Sequence, residues 1–278
     1  DPRAMAFELS TAWRSAGKGH DLYDLVALVV LFEVCYRLFG RLLAKLATVD
    51  GFARDPAKRG KLAAEGASYL VSFVHAFVVA VRGAWHLWSL RGAPADAQFE
   101  QRPWPSVDRY AAAGAAMEPT NAIFLAFIFY DLAHVLAHYP KLGGADTVAH
   151  HSLFAVASYV CGANRVFPFP FAWLAVGEFS TLPLNVRWLL IQSGRGSTGA
   201  MATTNWCFAV SFFLCRILAY GLGLFHLFSN WSFVGPLVGR TPYLGLVVAL
   251  LCAGYLLNLV WFRHIVRMAA SGRMAAGK

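Results

Sequence analysis

The chain has 278 residues, of which 58% are hydrophobic and 14% are charged, and its mean hydropathy is +0.51. Soluble domains contain roughly 45–50% apolar residues, so this composition excludes a water-soluble protein and indicates one that lies in a lipid bilayer. The net charge of +9 does not indicate a nucleic-acid partner, because lysine and arginine lie in short loops beside apolar segments. Membrane lipids with anionic headgroups are the simpler partner.

Seven segments of the chain are long and apolar enough to form transmembrane helices, which need about 20 mainly apolar residues. They cover residues 22–40, 64–82, 119–138, 148–165, 168–192, 205–228 and 241–262. Each segment is expected to be helical, because lipid cannot satisfy open backbone hydrogen-bonding groups. The sequence therefore predicts an all-α fold, a polytopic membrane helix bundle of about seven transmembrane helices.

The basic residues predict which side of the membrane each loop faces. Loop 41–63 contains six lysine and arginine residues, and cytosolic loops carry an excess of such residues. We therefore expect this loop and the carboxyl terminus to be cytosolic. The connections 83–118 and 229–240 then lie on the opposite side, and we expect the longer one to be a surface loop or an interfacial segment.

The third apolar segment carries ionisable residues on one face. Asp131 lies near its middle, and His134 and His138 follow at i+3 and i+7. A charge in hydrocarbon costs several kcal/mol, so this face is expected to point into the bundle. The fourth segment begins with His150 and His151, which we expect at about the membrane level of His138 across an antiparallel helix pair.

The fifth apolar segment contains both an acid and a helix-breaking residue. Glu178 lies near its middle, and Pro183 follows five residues later. An interior proline removes a backbone donor and clashes with the preceding turn. We expect a kink or break after Ser180-Thr181, and broken helices in membranes usually line a cavity.

Two chemistries suit these histidines and acids. His134 and His138 with the pair His150-His151 match the histidine boxes of membrane di-iron enzymes, in which neutral imidazoles bind iron, although a third box is missing. A histidine flanked by carboxylates can instead act as general base or nucleophile toward an acyl carbonyl. We favour acyl transfer without a metal.

The acids also have a purely structural interpretation. Asp131 and Glu178 can form buried ion pairs, with Arg187 and Arg216 as candidate partners, and such pairs can serve structure alone.

An ordered set of short motifs resembles a known family. The motifs are Val71-Ser72-Phe73-Val74-His75-Ala76, Tyr130-Asp131-Leu132, His138, His150-His151, Glu178-Phe179-Ser180-Thr181, Asn185-x-Arg187-Trp188 and Asn258-x-x-Trp261-Phe262. Over roughly residues 64–265 they resemble the TLC domain (TRAM, LAG1, CLN8). The chain looks most like the small TLC-domain-containing membrane proteins, and it is more distantly similar to the ceramide synthases.

The resemblance implies a lipid-accessible cavity within the helices, and a home in the endoplasmic reticulum or another internal membrane. By analogy with ceramide synthases, His150 or His151 would accept the acyl group or a proton from the acceptor amine. Asp131 and Glu178 would orient the histidine or balance its charge. Residues expected to bind lipid or support the site are His75, His138, Ser180, Thr181, Asn185, Arg187, Arg216, Asn258 and Trp261.

The chain departs from the ceramide synthases at one point of their signature. Their paired histidines are followed by a His-Asp-x-x-Asp stretch, whereas this chain reads Ala-Val-Gly-Glu-Phe-Ser-Thr over residues 175–181. This stretch keeps an acid and loses the aspartates, so the resemblance does not extend to the ceramide synthase signature.

The residues predict three parts of the chain and leave two functions open. Residues 1–63 are an amino-terminal segment with the first transmembrane helix and a basic loop, 64–265 the TLC domain, and 266–278 a basic tail. In the first function the protein binds a long-chain lipid or acyl-CoA and transfers an acyl group, without a tightly bound cofactor. In the second it is a noncatalytic lipid-binding subunit of a larger membrane complex, with other protein subunits as partners.

Overall fold

The structure is a computed structural model, and it describes residues 22–49, 55–100, 110, 114 and 116–271. The helices within these ranges are α1 (Leu22–Ala47), α2 (Pro56–Leu90), α3 (Ala95–Phe99), α4 (Met117–Ala137), α5 (Ala145–Asn164), α6 (Pro168–Val176), α7 (Thr181–Gln192), α8 (Gly199–Phe212), α9 (Tyr220–Ser229), α10 (Trp231–Arg240) and α11 (Pro242–Ala270). A 3₁₀ turn, Gly177–Ser180, joins α6 to α7, and a π-helix, Phe213–Ala219, joins α8 to α9.

This architecture confirms the all-α, polytopic membrane fold, but not the number of spans. Among the described residues, four helices are long and apolar enough to cross a membrane: α2, α4, the continuous stretch Gly199–Ser229 and α11. The other three predicted segments also lie in helices. However, α1 carries acids and bases along its length, α5 contains several polar residues, and the fifth segment is divided by the 3₁₀ turn. The prediction of about seven spans is therefore not confirmed.

Two stretches predicted as loops contain helices. The second segment was expected to end at Arg82, but α2 continues to Leu90. The Arg82 Nε–H donates to Thr120 Oγ1 over 2.7 Å, and His86 Nε2 lies 2.8 Å from the same hydroxyl. Because α4 supplies these partners, the arginine does not have to end the helix. The predicted connection 229–240 likewise holds α10.

The chain divides into two compact units. The first unit contains Arg82–Ala175 and Gly223–Gly254, with the beginning of α1. Its centre is the antiparallel pair α4 and α5, whose buried aromatic rings meet where Phe124 contacts Phe154 at 6.5 Å between centroids. Phe99 of α3 stacks on His226 at 5.4 Å, which attaches α3 to α9.

The second unit contains Val30–Val81, Val176–Leu222 and the chain from Tyr255 onward. Phe208, Phe212 and Ile265 form a buried apolar cluster that joins α8 to α11. Tyr69 of α2 stacks on Trp188 of α7 with ring centroids 3.9 Å apart. Each unit is thus built from helices that are far apart in sequence.

Large apolar side chains are exposed along several helices of both units. Trp88 of α2, Phe225 of α9 and Leu256 of α11 are 67%, 71% and 62% exposed. Apolar surface of this extent is costly in water, whereas lipid tails cover it without cost. The pattern is that of an integral membrane protein.

We predict that Gly223→Ala strongly destabilises the first unit. A Cβ at residue 223 would collide with the indole of Trp173, which is 3% exposed and has no room to move. Overpacking of this kind costs about 1–3 kcal/mol, so the melting temperature of the purified protein should fall. Gly60→Ala in α2 is the control, because nothing lies within 4 Å of its Cβ. Equal melting temperatures for the two variants would contradict this packing.

Candidate functional site

The central polar contact of the first unit joins Asp131 to His151. Asp131 Oδ2 of α4 lies 3.0 Å from His151 Nε2 of α5, and the two side chains are 17% and 13% exposed. The antiparallel pairing of α4 and α5 brings them together, since each lies on the face that its helix turns toward the other. The predicted proximity of Asp131 to the paired histidines is therefore present in the structure.

The hydrogen bonds of His151 determine what its ring can do. Its Nδ1 lies 2.9 Å from the carbonyl oxygen of Thr147, one turn earlier in α5. A carbonyl only accepts, so we assign the Nδ1 proton to this bond. Nε2 faces a carboxyl oxygen of Asp131 at 3.0 Å. In this arrangement both ring nitrogens are engaged, and His151 is suited to balance charge rather than to attack a carbonyl.

The neighbouring histidines lie on either side of this pair. The His150 ring contacts Phe154 at 4.8 Å and His151 at 5.6 Å between centroids. On α4, His134 stacks on His138 at 6.0 Å. His138 caps the end of α4 and is exposed. Among the described residues, no group of three or more His, Cys, Asp or Glu side chains is placed to hold a metal ion.

Glu178 forms a separate polar network in the second unit. Its Oε1 accepts a hydrogen bond from Arg216 Nη2 over 3.2 Å, and its Oε2 accepts one from Thr181 Oγ1 over 2.9 Å. Arg216 also donates through Nε to Ser180 Oγ over 2.7 Å and through Nη2 to Thr181 Oγ1 over 3.1 Å. Arg216, one of the two candidate partners in the structural interpretation of the acids, thus pairs with Glu178.

Irregular helix geometry places both partners of this ion pair. Glu178 lies in the 3₁₀ turn, and Arg216 lies in the π-helix. Pro183 explains the turn, because its ring clashes with the carbonyl four residues earlier, at Phe179. A π-helix often occurs at functional sites, and nothing in the sequence around Arg216 indicated one.

The remaining predicted site residues belong to the second unit. Arg187 Nε donates to Asn205 Oδ1 over 2.9 Å and so does not pair with either predicted acid through that nitrogen. Asn185 Nδ2 donates to Ser72 Oγ over 3.1 Å. His75 is buried and contacts the ring of Phe32. Asn258 is buried, and Trp261 packs against the Phe208–Phe212–Ile265 cluster.

The first unit also contains an apolar cleft that sequence reasoning did not locate. Its empty volume is about 400 Å³. It is lined by Phe124, Phe154, Ala157, Ser158, Cys161, Phe167, Pro170, Phe171, Leu174, Ala175 and Leu251. Phe154 belongs to the cleft wall and also contacts His150, so this part of the wall lies beside His150. The lining residues come from distant segments, which explains why no local pattern revealed it.

Fold and site together define an all-helical integral membrane protein with ion pairs buried among apolar helices. The TLC domain model (TRAM, LAG1, CLN8) matches residues 66–267, and the chain belongs to this family. It is 27% identical over 252 residues to TLC domain-containing protein 4-B of Danio rerio, and the alignment covers 89% of this chain and 88% of that protein. The predicted family resemblance is confirmed.

We predict that the Glu178–Arg216 pair is sensitive to the loss of one partner. Arg216→Met leaves a buried carboxylate without its cation, which typically costs about 3–5 kcal/mol. The double variant Glu178→Gln/Arg216→Met removes both charges and should recover much of that loss. Chemical denaturation of the purified variants measures both values. Glu178→Gln alone completes the cycle. If the stability lost in the double variant equalled the sum of the losses in the two single variants, the two side chains would not be coupled.

Proposed function

We propose that this TLC-domain membrane protein binds a long-chain lipid or acyl-CoA, with the acyl chain in the apolar cleft of the first unit. The observation that carries the proposal is the cleft itself, which is apolar along almost all of its lining. Each buried methylene contributes about 0.8 kcal/mol, so affinity should rise with chain length until the cleft is full.

Acyl transfer is the second candidate function, and the Asp131–His151 pair favours it. An amine or hydroxyl acceptor would attack the acyl carbonyl of a thioester, forming a C–N or C–O bond while the C–S bond breaks. His150 would take the proton from the acceptor and give it to the leaving thiolate. His151, held by Asp131 at 3.0 Å, would help to balance the negative charge that develops on the carbonyl oxygen.

The noncatalytic alternative keeps the bound lipid and omits the transfer step. The chain would then hold lipid within a larger membrane assembly. We further propose an internal membrane such as the endoplasmic reticulum as its location, with the basic loop and the carboxyl terminus in the cytosol. The acyl-transfer candidate requires acyl-CoA as the donor, and the noncatalytic alternative requires other protein subunits as partners.

We predict that filling the cleft removes bound lipid. Ala157 lines the cleft and is 4% exposed. The phenyl ring introduced by Ala157→Phe should therefore fill the space that the acyl chain would occupy. Val156→Phe is the control, because Val156 lies on the same helix and is 43% exposed. Native mass spectrometry of both purified proteins measures how much lipid is bound. Equal lipid occupancy in the two variants, with both folded, would contradict the proposed location.

We predict that acyl transfer, if present, depends on His150. General acid–base catalysis contributes about 10²–10⁴-fold, so His150→Ala should lower single-turnover formation of an amide or ester from acyl-CoA by a factor in that range. His264→Ala is the control, since this histidine is exposed on α11. Full turnover in both His150→Ala and His151→Ala would end the acyl-transfer candidate. Absence of turnover in the unaltered protein, with lipid bound, would favour the noncatalytic alternative.

A further inference from the structure

The first unit contains a second pocket whose residues the proposed function leaves unused. Its empty volume is about 320 Å³, and we call it the polar pocket. It is lined by Met117, Glu118, Asn121, Cys161, Gly162, Arg165, Val166, Pro168 and Phe171. Glu118 Oε1 lies 3.4 Å from Arg165 Nε, and these side chains are 29% and 33% exposed. One acid and one base are therefore both within reach of a ligand.

The polar pocket adjoins the apolar cleft. Cys161 and Phe171 line both spaces, so the two lie side by side. A molecule that occupies both must be amphiphilic, because one space contains a charged pair and the other is apolar. Glu118 lies in the first turn of α4, and Arg165 directly follows α5. The ends of apolar helices lie near the membrane boundary, where lipid headgroups are found.

The length of α4 fits an acyl chain that enters from the end of the helix at which Glu118 lies. Asp131 follows Glu118 by thirteen residues, which corresponds to about 20 Å at 1.5 Å per residue. One half of the hydrocarbon core is about 15 Å thick. An acyl chain with its head in the polar pocket would therefore end before the Asp131–His151 pair.

Arg165 is held in a backbone conformation that disfavours its side chain. Its φ is 52° and its ψ is 43°, and Phe167 has a φ of 59°. A left-handed conformation costs a non-glycine residue about 1–2 kcal/mol, and non-glycine residues under such strain cluster at ligand sites. The Phe167 N–H donates to the carbonyl of Phe99 over 2.8 Å, and Glu100 bridges to Val166. These contacts fix the strained turn and the arginine that it presents.

We infer that the polar pocket binds the zwitterionic headgroup of a long-chain lipid, with an anionic oxygen at Arg165 and a cationic nitrogen at Glu118. The inference rests on the proposed function, since the chain of this lipid occupies the apolar cleft. The carboxylate of Glu118 would repel a purely anionic headgroup, and the guanidinium of Arg165 would repel a purely cationic one. A partly exposed ion pair contributes little stability, so opening it for a ligand of matching charges costs little. With its headgroup in the polar pocket, the lipid directs the end of its acyl chain, and not its ester, toward His150.

The test uses the purified, delipidated full chain and native mass spectrometry. The protein is incubated with equal amounts of three lipids that carry the same acyl chains: a phosphoethanolamine lipid, a phosphoglycerol lipid and a diacylglycerol. We expect a preference of about tenfold for the phosphoethanolamine lipid, which corresponds to roughly 1.4 kcal/mol. Equal occupancy by the three lipids would overturn the inference. Displacement of the bound lipid by water-soluble phosphoethanolamine at equal concentration would also overturn it, because the acyl chain would then contribute nothing.

Arg165→Gly separates a binding role from a structural one. Glycine adopts the left-handed conformation without strain, so this variant should keep or raise the melting temperature while it loses the headgroup preference. Arg165→Lys should retain most of the preference, because it keeps the charge. Glu118→Gln should shift the preference toward the phosphoglycerol lipid. An unchanged preference in Arg165→Gly would overturn the inference.

The two proposals fail in different ways. If lipid binds without regard to its headgroup and Ala157→Phe still removes it, the headgroup site is wrong and the proposed function stands. If none of the lipids binds to the unaltered protein, whatever its headgroup, both the proposed function and the inference are wrong.

Discussion

The cost of a charge among apolar helices governs the arrangement of this molecule. The acids at the middle of the third and fifth predicted spans each have a close nitrogen partner: Asp131 lies 3.0 Å from His151, and Glu178 lies 3.2 Å from Arg216. Removing two ions from water costs several kcal/mol for each ion, and only close pairing with further hydrogen bonds compensates for it. The pairs therefore fix which helices adjoin. Asp131 and His151 set the register of α4 against α5, and Arg216 joins the π-helix to the 3₁₀ turn.

Irregular helix geometry brings together the polar side chains around Arg216. The hydrogen bonds of a π-helix join residues five apart instead of four, which changes the direction of the side chains it carries. Arg216 thereby contacts Glu178, Ser180 and Thr181 together. The 3₁₀ turn brings Glu178 and Thr181 to a separation of 2.9 Å. Four polar side chains within an apolar setting thus satisfy one another.

The sequence predicted the helical segments well because hydropathy reports directly on the solvent of each residue. It failed where a polar side chain finds its partner on another helix. Arg82 marked the expected end of a span, yet α2 continues because Thr120 of α4 receives its hydrogen bond. Charged residues are spread along α1, and polar residues lower the hydropathy of α5, so neither helix is among the four candidate spans.

The candidate site was predicted in part, and the limits have physical causes. The i+3 and i+7 spacing and the short turn after α4 were enough to bring Asp131 near His151. The pairing of Glu178 with Arg216 was foreseen as one of two options, because no local pattern distinguishes Arg216 from Arg187. The apolar cleft and the polar pocket were not foreseen. Their walls combine α4 and α5 with residues that follow α5, and the left-handed turn at Arg165 has no glycine to signal it.

The tethering of Glu100 has a consequence for engineering this chain. Glu100 is fixed by its bridge to Val166 and by a 2.6 Å ion pair with Arg240, while the carbonyl of Ala116 accepts a hydrogen bond from Arg82. Glu100 thus holds the end of α3 to the segment after α5 through its backbone and to the end of α10 through its carboxylate. A label attached to the side chain of Glu100 would remove the ion pair, so a reporter group for work in living cells should be placed elsewhere.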